Sequence, residues 1–322
     1  DDMADVWAVR LEPGYLDVAG TTRYTTAIAA SRKTYPGGAD DVVIATGEDW
    51  PDALAASGLA GAVDGPVLLV KPDAVPAEVY GELKRLGATD AYVVGGSAVI
   101  SDDVFDDLET FLVGDVERIA GANRFTTSAL VANKTRQLLG ADFDGTVMVA
   151  TGANFPDSVA AGALAAGKGW PILLTEPAEV PASTMSVLKA DDVDTCLVLG
   201  GNAAVSSDAK ADIEAVVDDV VRLSGVNRYA TAAAIADYGV SKGMGWDGVA
   251  LATGEDFADA LAGGVMQGAN NSVMLLTESG SLHPITAGRI SANKADISLI
   301  KFIGGTAAIA QSVRDAAWNL IK

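Results

Sequence analysis

Short, unbroken apolar runs recur along the chain, and the segments between them carry helical spacing. In the first third the runs are Val42-Val-Ile-Ala45, Val67-Leu-Leu-Val70 and Ala91-Tyr-Val-Val94. Segments 23–35, 51–63, 77–86 and 101–111 read as helices, the first stopped by Pro36-Gly37-Gly38. A run that is apolar on both faces marks a strand buried on both sides, the habit of parallel sheets. Strands of that kind alternating with helices give a doubly wound α/β domain. The same series returns in Val147-Met-Val-Ala150, Ile172-Leu-Leu-Thr175 and Leu197-Val-Leu199. It returns again in Val249-Ala-Leu-Ala252, Met274-Leu-Leu-Thr277 and Leu299-Ile-Lys-Phe-Ile303. The pattern predicts an α/β chain of three small doubly wound modules with parallel sheets.

Three motifs mark the same period. Openings stand at Gly20-Thr-Thr-Arg23-Tyr24, Gly121-Ala-Asn123-Arg124-Phe125 and Gly225-Val-Asn227-Arg228-Tyr229, 101 and then 104 residues apart. Ala-Thr-Gly follows, ending at Gly47, Gly152 and Gly254, and Gly-Gly pairs close each copy at Gly95-Gly96, Gly200-Gly201 and Gly304-Gly305. Solenoid units run to roughly 20–50 residues, so these repeats are domains in their own right. The expected modules are residues 1–114, 115–218 and 219–322.

Ligands of open α/β sheets gather at the carboxyl ends of the strands, where the glycine motifs lie. Gly47 is followed by Glu-Asp49-Trp-Pro51-Asp52, a helix start with Asp49 as N-cap and proline in the first turn. Asn154-Phe-Pro156-Asp157 and Asp256-Phe-Ala258-Asp259 are its equivalents. The glycine pairs suit a turn with positive φ or a close backbone approach. Arg23, Arg124 and Arg228 each open a helix, where the macrodipole disfavours a cation by about 0.3–1 kcal/mol. A position that opposes the dipole three times calls for an anion. One answer lies inside the module, a staple to Asp52, Asp157 or Asp259; the other is an external oxyanion matched by the guanidinium fork. The adjoining Tyr24, Phe125 and Tyr229 suit packing or a sugar ring.

Composition narrows the function by exclusion. Of the 322 residues, 43 are acidic and 22 basic, a net charge of −21. No basic stripe exists for nucleic acid or an anionic membrane surface. The lone cysteine, Cys196, lies in an apolar run and reads as a buried thiol. No apolar run approaches the roughly 18 residues of a membrane span. The start, Asp1-Asp-Met-Ala-Asp, has none of the basic and apolar regions of a signal peptide, so no such leader is read in this chain. Gly162-Ala-Leu-Ala-Ala-Gly167-Lys168 imitates a P-loop, but Gly169 stands where Ser or Thr must follow and the string ends a helix. No dinucleotide fingerprint opens a helix. Asp142-Phe-Asp144-Gly145 begins like a calcium loop and lacks the closing glutamate, with Ala153 in its place. With His283 the only histidine, a histidine-based triad or multi-histidine metal site fails. The expectation is a non-enzyme with no cofactor and no metal.

The linked motifs resemble the type 2 cell-wall-binding repeat of Gram-positive surface proteins. The second copy matches best, through Gly121-Ala-Asn123-Arg124-Phe125, Ala150-Thr-Gly152-Ala-Asn154-Phe155-Pro156-Asp157, Pro171-Ile-Leu-Leu174 and Gly200-Gly201. The resemblance implies Rossmann-like modules arranged as an intrachain pseudo-threefold trimer in a monomer, located extracellularly at the cell wall. It also implies non-covalent anchoring of a surface protein through an anionic secondary wall polymer, a peptidoglycan-associated glycan. The ligand-binding residues it implies are Arg23, Arg124 and Arg228 with Asn123 and Asn227, the segments Pro66, Leu68, Leu69 and Pro171, Leu173, Leu174, and Asp52, Asp157 and Asp259. The third copy lacks the proline at Val273 and has Ala258 for Pro51 and Pro156; the first has Thr22 for asparagine and Asp17 for Arg118 and Arg222. The three sites are therefore expected to differ. The alternatives are a spacer or adhesin that binds another protein, or the non-catalytic part of a wall hydrolase. Weak sites on one rigid body gain roughly 10²–10⁴ in avidity on a repeating polymer. For so acidic a chain, an anionic polymer implies binding confined to arginine-lined grooves or bridged by cations.

Overall fold

The computed structural model describes residues 13–322. Strand β1 (Gly14–Val18) leads into α1 (Arg23–Thr34), β2 (Asp41–Thr46), α2 (Pro51–Ala62), β3 (Val67–Val70), α3 (Ala77–Leu86), β4 (Asp90–Val94) and α4 (Asp102–Phe111). The series repeats as β5 (Val116–Ile119), α5 (Arg124–Leu139), β6 (Thr146–Thr151), α6 (Ala161–Lys168), β7 (Ile172–Thr175), α7 (Ala182–Leu188), β8 (Thr195–Leu199) and α8 (Ser207–Glu214). It repeats again as β9 (Asp219–Leu223), α9 (Arg228–Ser241), β10 (Gly245–Thr253), α10 (Ala258–Ala269), β11 (Ser272–Thr277), α11 (Pro284–Ala292), β12 (Leu299–Ile303) and α12 (Gln311–Ile321).

These strands form three four-stranded parallel sheets with orders β3-β2-β4-β5, β7-β6-β8-β9 and β11-β10-β12-β1. The last strand of each sheet comes from the segment just before the next opening motif. Cut at 114/115 and 218/219, the sheets interlock, each module giving its first strand to the sheet of the one before. The ring closes because β1, from the start of the chain, pairs with β12 near its end, Gly14 opposite Leu299 through Val18 opposite Ile303.

Side-chain alternation divides the cores. On the first sheet Val43, Ala45, Val67, Leu69 and Val94 face a core common to all three modules. Their neighbours Val42, Ile44, Leu68, Val70 and Val93 face a separate core closed by Val79, Leu83, Val104 and Leu108 of α3 and α4. The second module has its own outer core too, and Cys196 lies in it, fully buried, its thiol pushed well up by desolvation. At the common centre the Ala/Gly-rich helices α2, α6 and α10 pack together. Side chains there would collide: a Cβ on Gly61 would lie 2.1 Å from the Ala166 carbonyl oxygen, and one on Gly268 2.5 Å from the Gly167 nitrogen. The string that imitates a P-loop is thus the contact face of α6.

Candidate functional site

Each opening motif is folded by its own polar groups. Thr22, Asn123 and Asn227 are the N-caps of α1, α5 and α9, accepting from Thr25 N, from Phe125 N and Thr126 N, and from Ala230 N. The glycine ahead of each cap donates to a threonine hydroxyl six residues on, at 3.1 Å in all three copies: Gly20 to Thr26, Gly121 to Thr127, Gly225 to Thr231. The arginine is the first helical residue, and its Nη1 turns to the carbonyl of its own module's Ala-Thr-Gly: Arg124 to Gly152 at 2.6 Å, with Arg23 to Gly47 and Arg228 to Gly254 alike.

The other end of the guanidinium crosses to the neighbouring module. Arg124 Nη2 lies 3.9 Å from Asp49 and its head sits over the Trp50 ring at 5.7 Å. Arg23 Nη2 lies 3.6 Å from Asp256 and its head sits over the Phe257 ring at 5.5 Å. The expected staple inside one module, to Asp52, Asp157 or Asp259, is replaced by a bridge between modules. The reason is the ring itself, which sets the opening of one copy against the Ala-Thr-Gly loop of the copy before. Asp49 and Asp256 are not the caps expected of them: the N-cap positions of α2 and α10 are Trp50 and Phe257, and neither helix has a side-chain cap. Each carboxylate instead accepts from the next residue's own N–H, Trp50 at 2.9 Å and Phe257 at 2.7 Å. Asn154 caps no helix either, because residues 155–160 run through turns before α6 begins. There the Ser158 hydroxyl takes the Phe155 carbonyl at 3.1 Å, and Val159 is β-branched, both unfavourable to a first helical turn. Trp50, Phe155 and Phe257 meet at the centre, ring centroids 6.4 and 5.8 Å apart.

Two of the seams open as clefts of about 170 and 190 Å³. The first brings Asp49 and Asp52 of one module together with Asn123, Arg124 and Thr127 of the next. The second brings Asp256 and Asp259 together with Thr22, Arg23 and Thr26. Burial, then the nearby Asp49 charge, lifts the Asp52 carboxyl to about 6 against the pull of Arg124. Asp259 is raised mainly by burial, opposed by a hydrogen bond with the Thr26 side chain. Beneath them the first glycine of each closing pair, Gly95, Gly200 and Gly304, has φ of 126°, 91° and 100°. A Cβ on Gly95 or Gly200 would meet the Asp52 or Asp157 carboxylate at 2.9 or 3.0 Å. The aspartates thus sit directly against these turns, so sequence motifs about fifty residues apart form one wall of a cleft.

The apolar part of the predicted site lies elsewhere. Leu68, Leu69, Leu173 and Leu174 are at most 1% exposed, and Pro66 and Pro171 are buried. Pro66 lies beside Ala262, Val265 and Met266 of α10, and Pro171 against Gly58 of α2. They form the joint between modules and present no surface to a polymer. Arg118 and Arg222, unassigned from the sequence, bind carbonyls of the glycine-pair turns: Arg118 to Gly95 and Ile100 at 3.0 and 2.8 Å, Arg222 to Gly200 and Val205 at 2.7 and 2.8 Å. In the third sheet Asp17 holds that strand position, and Arg314 of α12 supplies the guanidinium, bonding Gly304 O at 2.6 Å, Ile309 O at 2.9 Å and Asp17.

Three repeats with this motif set match the family model described as cell wall binding domain 2 (CWB2), over residues 18–105, 118–210 and 222–314. The chain belongs to the CWB2 family. It is 28% identical over 302 residues to N-acetylmuramoyl-L-alanine amidase LytC of Bacillus subtilis, covering 94% of this chain and 58% of that protein. It is 29% identical to the Amidase enhancer of the same organism, covering 92% of this chain and 39% of that one. The chain therefore spans little more than half of the first relative and less than half of the second. Among solved structures, Cwp8 from Clostridium difficile superposes with a TM-score of 0.85 at 25% identity, over 96% of this chain and 52% of that one. Cwp6 from Clostridium difficile gives the same TM-score at 23% identity, over all of this chain and 51% of that one, a likeness of fold. Membership in CWB2 makes this a cell-wall-binding chain associated with the wall or surface. Among the described residues no helix is long and apolar enough to cross a membrane, and no group of three or more His, Cys, Asp or Glu could hold a metal.

Proposed function

We propose that this chain anchors a surface protein to the bacterial wall without a covalent bond, by binding an anionic secondary wall polymer in the seams between its modules. The observation that carries this is the repetition of one polar cleft, helix-opening arginine, buried aspartate and glycine turn, at two seams of one rigid body. In each, a guanidinium suited to an oxyanion lies beside carboxyl and hydroxyl groups suited to sugar hydroxyls, with an aromatic ring underneath. No single cleft is enclosed enough for tight binding, and a repeating polymer that spans several of them gains its affinity from avidity. Asn123, Asn227, Asp52, Asp157 and Asp259 belong to the polar walls in this reading. Pro66, Leu68, Leu69, Pro171, Leu173 and Leu174 belong to the scaffold. Amidase activity is a property of the named relative, and no catalytic role is assigned to the present modules.

Cosedimentation with purified Bacillus subtilis sacculi, with and without their secondary polymers, tests the proposal. Pelleting that requires the polymer is the expected result. Absence of pelleting at low and high salt, with and without calcium, would overturn it in favour of a spacer or protein-binding role. Binding that weakens on adding divalent cations would exclude cation bridging and leave the arginines as the anion readers.

A further inference from the structure

Arg228 differs from its two sisters in what stands across from it. The loop facing Arg124 reads Gly47-Glu-Asp49, and the loop facing Arg23 reads Gly254-Glu-Asp256. By the register of those two seams, Arg228 falls against the second module, whose loop reads Gly152-Ala-Asn154. Arg124 and Arg23 therefore have carboxylates at 3.9 and 3.6 Å, while among the described residues no carboxylate lies within 4.0 Å of Arg228. Asn154 is exposed. The Arg228 head is nonetheless oriented like the others, Nη1 held by the Gly254 carbonyl, and Tyr229 beside it is fixed by stacking on His283 at 4.1 Å. Val226, two residues earlier, is 93% exposed, so the mouth of this seam is uncovered.

The charge balance follows. The seam of Arg124 holds Asp49 and Asp52, and that of Arg23 holds Asp256 and Asp259. In the same register the second module offers Arg228 only Asp157. The acids of its own module, Glu255 and Glu278, act on Tyr229 beside it without reaching within 4.0 Å of the guanidinium among the described residues. An oxyanion approaching either of the first two must compete with a carboxylate already beside the guanidinium, and one approaching Arg228 need not.

We propose that the seam between the second and third modules is the anion-reading seam of this chain. Arg228 takes the phosphate or carboxylate group of the wall glycan, and Asn154 sets that preference by being uncharged. The two aspartate-bridged seams, whose guanidinium is shared with a carboxylate, hold an oxyanion more weakly and contribute mainly contacts to sugar hydroxyls. This inference rests on the polymer-binding reading above and adds to it which seam reads charge.

The test is cosedimentation of the full chain and its R228A, R124A, R23A, N154D and D49N variants with Bacillus subtilis sacculi, with thermal melts as the control for folding. Loss of one charge-assisted contact should weaken R228A about tenfold or more. N154D should weaken binding in the same direction while its melt stays put, R124A and R23A should lose only a few-fold, and D49N should gain. Sacculi stripped of phosphodiester-linked polymer by hydrofluoric acid, and sacculi whose carboxylates are amidated with carbodiimide, separate the two sources of the anion. The N154D defect should vanish on whichever treatment removes that group. If wild type pellets with polymer but N154D binds equally well, or all three arginine variants lose equally, this inference fails and the anchoring function stands. If wild type does not pellet at all, the polymer-binding reading fails with it.

Discussion

At the closing edge of the third sheet, Asp17 stands where the sister sheets carry Arg118 and Arg222, and Arg314 reaches in from α12 to hold the equivalent carbonyls. At the seam between the second and third modules, Asn154 stands where the sister loops carry Asp49 and Asp256, and no acid replaces it within 4.0 Å of Arg228 among the described residues. One departure from the repeat is compensated and the other is not. The physical stakes differ. The turn carbonyls at Gly304 and Ile309 are buried and must have donors, whereas the Arg228 head is half-buried and water can serve its remaining N–H groups. Where folding requires a charge, this chain supplies it from a new place. Where folding does not, the asymmetry is free to serve binding.

The compensated side breaks most readily. Arg314 is 5% exposed, and R314A leaves two buried carbonyls unpaired, so a loss of about 3 kcal/mol is expected in denaturant unfolding. R222A removes bonds to Gly200 and Val205 that Arg314 matches in the third sheet, and should cost about 2 kcal/mol. The sharper experiment is the double variant D17R/R314A, which returns the guanidinium to the strand position used in the other two sheets. It should recover most of what R314A loses, to within about 1 kcal/mol of the wild type, giving a strong coupling in the double-mutant cycle. Additive losses would show that Arg314 does something other than stand in for a strand arginine.

A third measurement probes the acid-rich seam. The Asp52 carboxyl lies at about 6 in the folded chain against 3.8 for an ordinary aspartate. A carboxyl that holds its proton more tightly when folded favours the native state at low pH. That contribution is complete below about 4 and is lost as pH rises through about 6. Asp259 is shifted in the same direction. D52N should flatten the fall in stability between pH 4 and 6 and be more stable at pH 7 by about 1–2 kcal/mol, after allowance for solvent at the cleft mouth. An unchanged slope would mean that Asp52 is ionised and satisfied throughout.

The same contrast explains what could be read from the sequence. β2, β3 and β4 and their counterparts were legible because both faces are buried and the runs are unbroken. β1, β5 and β9 were not read, because they are edge strands whose polar and apolar residues mix, as in Val116-Glu-Arg-Ile119. Their partners also belong to the sheet of the previous copy, about 25 residues back for β5 and β9, whereas for β1 nearly the whole chain intervenes. The arginines stood out because they oppose the helix dipole. Their partners stayed hidden, since the apposition of one copy's opening with the previous copy's loop is a property of the closed ring. Leu68, Leu69, Leu173 and Leu174 show the converse: a motif associated with binding is here a motif of burial. Nothing in the repeat pointed to Arg314, because its position on α12 has no arginine in the other two modules.

The smallest expected effect decides the comparison. N154D restores the acid that two of the seams carry and offers Arg228 the partner it lacks. If that acid were part of the fold, its return would stabilise the chain by as much as a buried bridge. The existing pairs argue otherwise: the Asp49 and Asp256 side chains are 49% and 53% exposed, and bridges so open to solvent contribute little. N154D should therefore shift unfolding by no more than about 0.5 kcal/mol, even as it weakens binding to the wall. A stabilisation of about 2 kcal/mol or more would place the missing acid among the structural requirements of the ring. The two departures would then differ only in whether the chain had repaired them.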